Sequence, residues 1–442
     1  MDFKTLMRPY QEEALENLRK WVQIPSVHDE ATIQEGKPFG NDVASALDFI
    51  ARLAESKGFE VNCCDGYCTE IICGHSDVVP VSGDWKYPPF SATLADDVLY
   101  GRGTSDDKGP AMAAFYSLVA LKENHLIDGY QVRFVIGGNE EKGSACLEHY
   151  FHVLKKPNPT YGFTPDGDFP LIYGEKGITN YRTSGELKVK EVKKIHAGVV
   201  SNSVIDLADA IVTKKEPIEA YLKNKKFQYE WKEEEDGLHF ILHGKAAHGS
   251  LPELGINAGI QMLDVLGHAY HVDEWIRLAD AYQDPSGKTM DEFYHSDLLK
   301  DTTYNVGIIE YENNQFSMIV NFRYPEQVKP LAVITNLNAK LPFYTEIIST
   351  SETLFFDPNC AMIQNLLRVY QEETGDLETP IKTIGGGTYA KECKNTVAFG
   401  SAFPHSDDHI HEANEHITLQ DFYQSMPIYA HAIYCLGKET CE

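Results

Sequence analysis

Five short stretches gather the imidazole and carboxylate side chains that could bind a metal or move a proton. In Gly74-His75-Ser76-Asp77, at the end of an apolar run, strand alternation puts His75 and Asp77 on one side. A carboxylate two residues from a metal-binding imidazole can steady that ring or a catalytic water. In Gly103-Thr104-Ser105-Asp106-Asp107 two adjacent aspartates sit in a glycine-rich turn that opens a helix. In Gly137-Gly138-Asn139-Glu140-Glu141 two glutamates follow another strand-like run. Neighbouring carboxylates repel unless a cation lies between or beside them, and one ligating and one proton-carrying glutamate is a natural division of labour. Thr164-Pro165-Asp166-Gly167-Asp168 is a further acidic turn, and His405, His409, His411 and His416 crowd the C-terminal segment.

Each stretch alone has a plainer reading: a surface histidine, a helix N-cap, a solvated charged turn. The order His, Asp, Glu-Glu, Asp, His is more specific, because it is the mixed nitrogen and oxygen donor set of zinc and other divalent ions. Five candidate ligands and a spare carboxylate fit two ions, about 3.5–4 Å apart, sharing one aspartate. His411-Glu412 and His416 are one residue too far apart for the helical H-E-x-x-H zinc motif, since five residues turn a helix by ~500°. The Gly-x-Ser-x-Gly signature of a serine nucleophile is absent.

The elements that must hold these residues alternate between helix and strand over the first 180 or so residues. Residues 11–23 read as an amphipathic helix on Leu15, Leu18 and Val22, stopped by Pro25. Asn41 is placed as the cap of a second helix, which Gly58 closes. A short apolar run ends at Ile71-Ile72-Cys73-Gly74. Pro110 lies in the first turn of a third helix, and Val132, Phe134 and Ile136 alternate as a strand. This rhythm predicts an α/β domain with a mostly parallel sheet sandwiched by helices, whose strand ends carry the candidate ligands. From 178 to 354 strand-like pieces are joined by longer charged connections, and Lys223 to Asp236 reads as an exposed turn region. After 355 the α/β texture returns, with a helix near 359–374 and a last helix capped by Thr418. The predicted organisation is one domain, 1–177 with 355–442, and an α+β domain, 178–354, inserted in it.

A chain of 442 residues exceeds one ordinary domain. The 39 basic and 66 acidic residues give a net charge of −27, which phosphate backbones and anionic lipids repel, so neither nucleic acid nor membrane is an expected partner. No apolar stretch reaches the ~18 residues that span a bilayer, and Met1-Asp2-Phe3-Lys4-Thr5 does not read as an export signal. A cytoplasmic location is expected. Nine cysteines, four of them Cys63, Cys64, Cys68 and Cys73, lack the paired C-x2-C spacing of a zinc knuckle and read as small buried thiols.

In this order the motifs GHSDVVP, GRGTSDDKGP, GGNEEKGS, TPDGDFPLIYGEKG, GKAAHGSLPELGINA, NFRYP and GGGTYAKE make the chain similar to the M20 metallopeptidases of the zinc-exopeptidase clan. Within them it resembles the PepV-like bacterial dipeptidases over nearly its whole length. The resemblance implies His75 and Asp166 as ligands of one ion, Glu141 and His411 as ligands of the other, and Asp106 as the bridge. Glu140 becomes the general base that takes a proton from the metal-bound water, leaving a bridging hydroxide, and later gives it to the leaving amine, and Asp77 the partner of His75. A cis peptide between Asp106 and Asp107 is implied as well. By position, His248 matches the histidine that donates to the oxyanion, and Arg323 the arginine that holds the substrate's terminal carboxylate. Gly386, Gly387 and Thr388 match a substrate-backbone loop, and Asn202 a further substrate contact. The segment between Gly58 and His75 is shorter than the family pattern. His411 is chosen because D-x-x-H-x-x-N-E fits Asp408 to Glu415; His409 is the fallback.

The expected activity is therefore metal-dependent hydrolysis of dipeptides and other short unblocked peptides, with zinc as the first choice of ion and manganese or cobalt as alternatives. The inserted region is too large for one four-stranded lid, and the resemblance then implies a double lid, two ferredoxin-like halves, and a monomer. The rival readings are a deacylase or desuccinylase acting on N-acyl amino acids, and a binder of metal or peptide without turnover.

Overall fold

The computed structural model describes residues 1–70, 74–223 and 225–439. The apolar run Ile71-Ile72-Cys73 predicted ahead of His75 lies outside them. The chain divides into two compact units, Met1–Tyr173 with Phe356–Lys382 and Thr388–Glu442, and Gly174–Phe355 with Thr383–Gly387.

In the first unit, helix α1 (Gln11–Val22) buries Ala14, Leu18, Trp21 and Val22 on one face. Helix α2 (Asn41–Ser56) starts differently from the sequence reading. Gly40 holds the cap position with φ 96° and Asn41 is already helical. A side chain on Gly40 would meet Asp29 and Thr32, whose hydroxyl accepts from the Asn41 N–H at 3.0 Å. The cap is thus supplied by a threonine nine residues earlier, beyond the reach of a local motif. Helix α3 (Lys108–Glu123) is buried from Lys108 to Leu121, which explains its lack of an amphipathic pattern.

Strand β1 (Cys68–Glu70) pairs antiparallel, and β2 (Gly74–His75) parallel, with β3 (Val135–Gly137). Among the described residues the β1 ladder ends at Glu70 opposite Val135, so Val132 to Phe134, predicted as strand, lie outside it. Strand β4 (Gly162–Thr164) runs parallel to Thr396–Ala398. His75 is the last residue of β2, and Glu140 and Asp166 follow the C-terminal ends of β3 and β4, the place where α/β sheets present ligand sites. Helix Ala361–Thr374 and the final helix, Leu419–Glu439, complete the layer. The Asp421 N–H donates to Thr418 Oγ1 at 3.0 Å, the predicted cap. Cys64 and Cys68 are buried, but Cys63, expected to be so, is exposed beside a tight turn. No helix among the described residues is long and apolar enough to cross a membrane.

The second unit carries its own core under one antiparallel sheet. Its strands are β5 (Gly177–Glu186), β6 (Val192–Ala197), β7 (Leu207–Val212), β8 (Gln228–Glu234), β9 (Gly237–His243), β10 (Thr303–Glu312), β11 (Gln315–Tyr324) and β12 (Tyr344–Ser351). The spatial order is β8-β9-β7-β6-β10-β11-β5-β12. Strands β10, β11, β5 and β12 have the ferredoxin-like order. The other four do not, because β7 rather than β6 lies beside β9, so the expected pair of ferredoxin-like halves reduces to one. Residues 228–234, read as turn from their charge, form the edge strand β8, where exposed charge is normal and blocks further pairing.

Candidate active site

Main-chain geometry fixes the candidate ligands. His75 is fully buried on β2; its N–H donates to Asp107 Oδ2 at 3.0 Å, and its Nδ1 meets the Asp77 carbonyl oxygen at 2.9 Å. That contact assigns Nδ1 the proton and leaves Nε2 facing the acidic cluster. The Asp77 carboxylate lies 3.6 Å from the ring and is engaged elsewhere. Its Oδ1 accepts from the Glu140 N–H at 3.0 Å and its Oδ2 from the Glu141 N–H at 3.2 Å. The expected role of Asp77 as partner of His75 is carried by its main chain, while its side chain orders the two glutamates. Tyr389 stacks edge-on to His75, with its hydroxyl 2.9 Å from Cys146 Sγ.

Asp106 stands between two imidazoles, with Oδ1 2.9 Å from His75 Nε2 and Oδ2 2.8 Å from His411 Nε2. Asp166 Oδ2 lies 4.0 Å from His75 Nε2, and Glu141 Oε1 3.1 Å from His411 Nε2. Two donor triads result, His75 with Asp106 and Asp166, and Asp106 with Glu141 and His411; within each, the donor atoms lie within 4.8 Å of one another. The peptide joining Asp106 to Asp107 is cis. His409 is in neither triad; its Nδ1 pairs with Glu412 at 3.3 Å. His405 pairs with Asp421, and His416 Nδ1 meets the Asn414 carbonyl.

The electrostatics reflect the crowding of buried carboxylates around the two imidazoles. Burial opposes charge on both histidines, but hydrogen bonds outweigh it. Asp106 raises His75 far above its ordinary range, and Asp106 with Glu141 pushes His411 up to about 11. Burial also works against an ionised Asp106, yet His411 and His75 hold its carboxyl far below the usual range. Glu140 and Asp107 are raised well above theirs, first by burial and then by the Asp166 charge, and burial moves Asp77 to about 6. Protonation in the direction of these shifts offsets part of an excess of buried negative charge. Divalent cations would do the same, and the imidazole and carboxylate donors are of the type that zinc, manganese or cobalt accepts. The donor set fits a two-ion centre.

In the second unit Asn202 and His248 are neighbours. Ser203 bridges His248, and the Gly249 N–H donates to the Asn202 carbonyl at 2.7 Å, where a side chain on Gly249 would collide. His248 Nδ1 lies 2.6 Å from Ser250 Oγ. Arg323 is buried on β11; its Nε donates to Asn321 Oδ1 at 2.8 Å and its Nη1 to the Gly385 carbonyl at 2.7 Å. Among the described residues no carboxylate lies within 4.0 Å of this guanidinium, and burial lowers its pKa to about 10. Gly386 and Gly387 belong to this unit and Thr388 to the first, where its hydroxyl accepts from the Ala390 N–H.

Sequence reasoning missed the supports around the ligands. Asp107 and Tyr389 stand within quoted motifs without an assigned task. Buried Lys108 donates to the Ile24 and Trp21 carbonyls at 2.8 and 3.2 Å, tying the segment after α1 to the start of α3. Buried Arg102 and Glu415 pair at 2.6 Å across 313 positions. The doubled aspartate and the terminal Asn-Glu of the C-terminal motif were the visible signals.

The sequence matches the model of peptidase family M20/M25/M40 over residues 71–434. A protein of Staphylococcus haemolyticus (strain JCSC1435), named "Putative dipeptidase", is 34% identical over 470 residues, covering 99% of this chain and all of the relative. A Staphylococcus aureus (strain MW2) protein with the same form of name is 31% identical over the same share. Among solved structures, the di-peptidase Dug1p of Saccharomyces cerevisiae aligns with TM-score 0.62 and 13% identity, covering 99% of this chain and 98% of that one. The M20 family metallo-carboxypeptidase Sso-CP2 of Sulfolobus solfataricus gives 0.61 and 17%, covering 96% and 99%. These structural likenesses establish the fold.

Proposed function

The chain belongs to peptidase family M20/M25/M40, and from that premise we propose that it is a two-metal dipeptidase, hydrolysing the peptide bond of dipeptides and other short unblocked peptides. The observation that carries the two-ion reading is the Asp106 carboxylate between His75 and His411, at 2.9 and 2.8 Å. His75, Asp106 and Asp166 would hold one ion, and Asp106, Glu141 and His411 the other. The chemistry that divalent ions supply in such a centre is Lewis acidity toward the scissile carbonyl and the attacking water. Zinc is the first choice among them, with manganese or cobalt as alternatives.

Glu140 receives a proton from the attacking water on its carboxylate and passes it to the leaving amine nitrogen. Glu140 stands next in the chain to the proposed ligand Glu141, and its N–H is held by Asp77 Oδ1 at 3.0 Å, the fixed placement such a shuttle needs. Asp77 keeps Glu140 and Glu141 in register through their N–H groups. His248 is assigned the developing oxyanion, and Arg323 the substrate's terminal carboxylate, a task for which a guanidinium fork is suited. Gly386, Gly387, Thr388 and Asn202 are assigned contacts to the substrate backbone. The first unit is the catalytic domain and the second the inserted lid. The state proposed is a monomer, and a stable dimer in sedimentation would remove that part.

A panel of unblocked dipeptides set against N-acyl amino acids tests the substrate class. Turnover of the dipeptides is expected. Turnover confined to the N-acyl compounds would make the chain a deacylase with the same centre.

A further inference from the structure

The Asn-Glu that closes the C-terminal motif has no task in the mechanism above, yet it is the most heavily bonded feature near the donors. Glu415 is fully buried. Its Oε1 accepts from three main-chain N–H groups, Gly103 at 2.9 Å, Ser105 at 3.0 Å and Asp106 at 3.2 Å. Its Oε2 accepts from Arg102 Nη1 at 2.6 Å. Its own carbonyl accepts from the Gly101 N–H at 3.0 Å, and Ser105 Oγ donates to the next carbonyl, that of His416, at 2.7 Å. Successive N–H groups converging on one anion form a nest, a fixed patch of positive potential that an internal carboxylate fills here. Just before it, Asn414 Oδ1 accepts from the Lys86 N–H at 2.6 Å, and Asn414 Nδ2 donates to the Asp84 carbonyl at 3.4 Å.

We propose that Glu415 is a positioning residue for the two-ion centre, clamping the Asp106 loop to the segment that carries His411. This rests on the two-metal reading given above. The clamp bonds the N–H of the bridging aspartate itself and lies four residues after His411, so it sets the spacing between a shared ligand and its partner on a distant part of the chain. His411 needs such a support. It has positive φ, 63°, in an irregular segment with no ladder to hold it, and His409 and Asn414 have positive φ too. The Arg102 ion pair offsets part of the cost of burying the carboxylate, and the nest gives that carboxylate its direction.

The test is Glu415→Gln in the full chain. A glutamine has one acceptor oxygen and must turn its NH2 either to the nest or to Arg102, setting donor against donor. Stepwise zinc dissociation constants are measured by chelator competition, alongside kcat and KM for a dipeptide. The expected result is a rise of about 10–100-fold in at least one of the two constants, the size seen for partners of metal ligands. At saturating zinc, turnover recovers toward wild type and KM is unchanged, which a general loss of folding would not produce. Both constants within about threefold of wild type would overturn the proposal. If the single variant does not fold, Arg102→Met with Glu415→Gln leaves no unpaired buried charge. The same loss of zinc affinity is expected there, and wild-type affinity would again overturn the proposal. A wild-type chain that binds no zinc removes the two-metal reading and this inference together, whereas two tight ions in both proteins removes this inference alone.

Discussion

Asp77 reaches both glutamates of the acidic pair at once, with one carboxylate oxygen 3.0 Å from the Glu140 main-chain nitrogen and the other 3.2 Å from that of Glu141. The proposed proton carrier and one proposed ligand are therefore aimed by a third, buried carboxylate. Asp77→Asn puts an NH2 against one of those N–H groups. We predict a fall in kcat of about 10–100-fold with KM little changed, the usual effect of losing a ligand's support. Steady-state kinetics on a dipeptide checks it; a change in KM alone would mean that Asp77 serves binding.

Glu140→Gln keeps the shape of the shuttle and removes its basicity. An expected loss of about 10²–10⁴ in kcat follows for a general acid and base, with two ions still bound by elemental analysis. Loss of the ions instead would move Glu140 into the ligand set.

Arg323→Met removes a buried guanidinium that no described carboxylate pairs. A charged hydrogen bond is worth about 1.5–3 kcal/mol, so KM for dipeptides rises about 10–150-fold. Peptides amidated at the C-terminus, which lack the charge, should lose far less. An equal effect on both would rule out carboxylate recognition.

His431, in the final helix, gives a pH signature independent of the ligands. Burial opposes its charge, but hydrogen bonds to Cys435 and Glu373 outweigh this and raise its pKa to about 9, with Glu373 Oε1 2.8 Å from Nδ1. A histidine raised from 6.5 when folded binds its proton more tightly than the unfolded chain does. Its contribution to stability is complete below about pH 6.5 and is lost as the pH rises through about 9. Thermal melts of wild type and His431→Gln should differ at pH 6 and converge near pH 10. A constant difference would contradict the ion pair.

How far the sequence could be read depended on whether a feature is local. Helix α1, the Pro110 start of α3 and the Thr418 cap follow from residues within one or two turns. The Gly40 start of α2 depends on Thr32, nine residues earlier, so it was not visible locally. The charge of residues 228–234 suits an exposed turn or an edge strand equally well, and only pairing with β9 decides. At the site, the six residues proposed as donors and shuttle could be singled out in the sequence because the chemistry restricts their types. The second carboxylate of the doubled aspartate, Asp107, and the Arg102 and Glu415 pair could not, because their tasks consist of contacts to distant main chain.

The central claim is that Asp106 joins two ions into one hydrolytic centre. Zinc titration of chelator-treated protein, followed by cleavage of an unblocked dipeptide, tests it most directly. We predict no turnover before zinc and a plateau at two ions per chain, with Asp106→Asn failing to reach it. Full turnover in the stripped protein, or a plateau at one ion, would contradict the account.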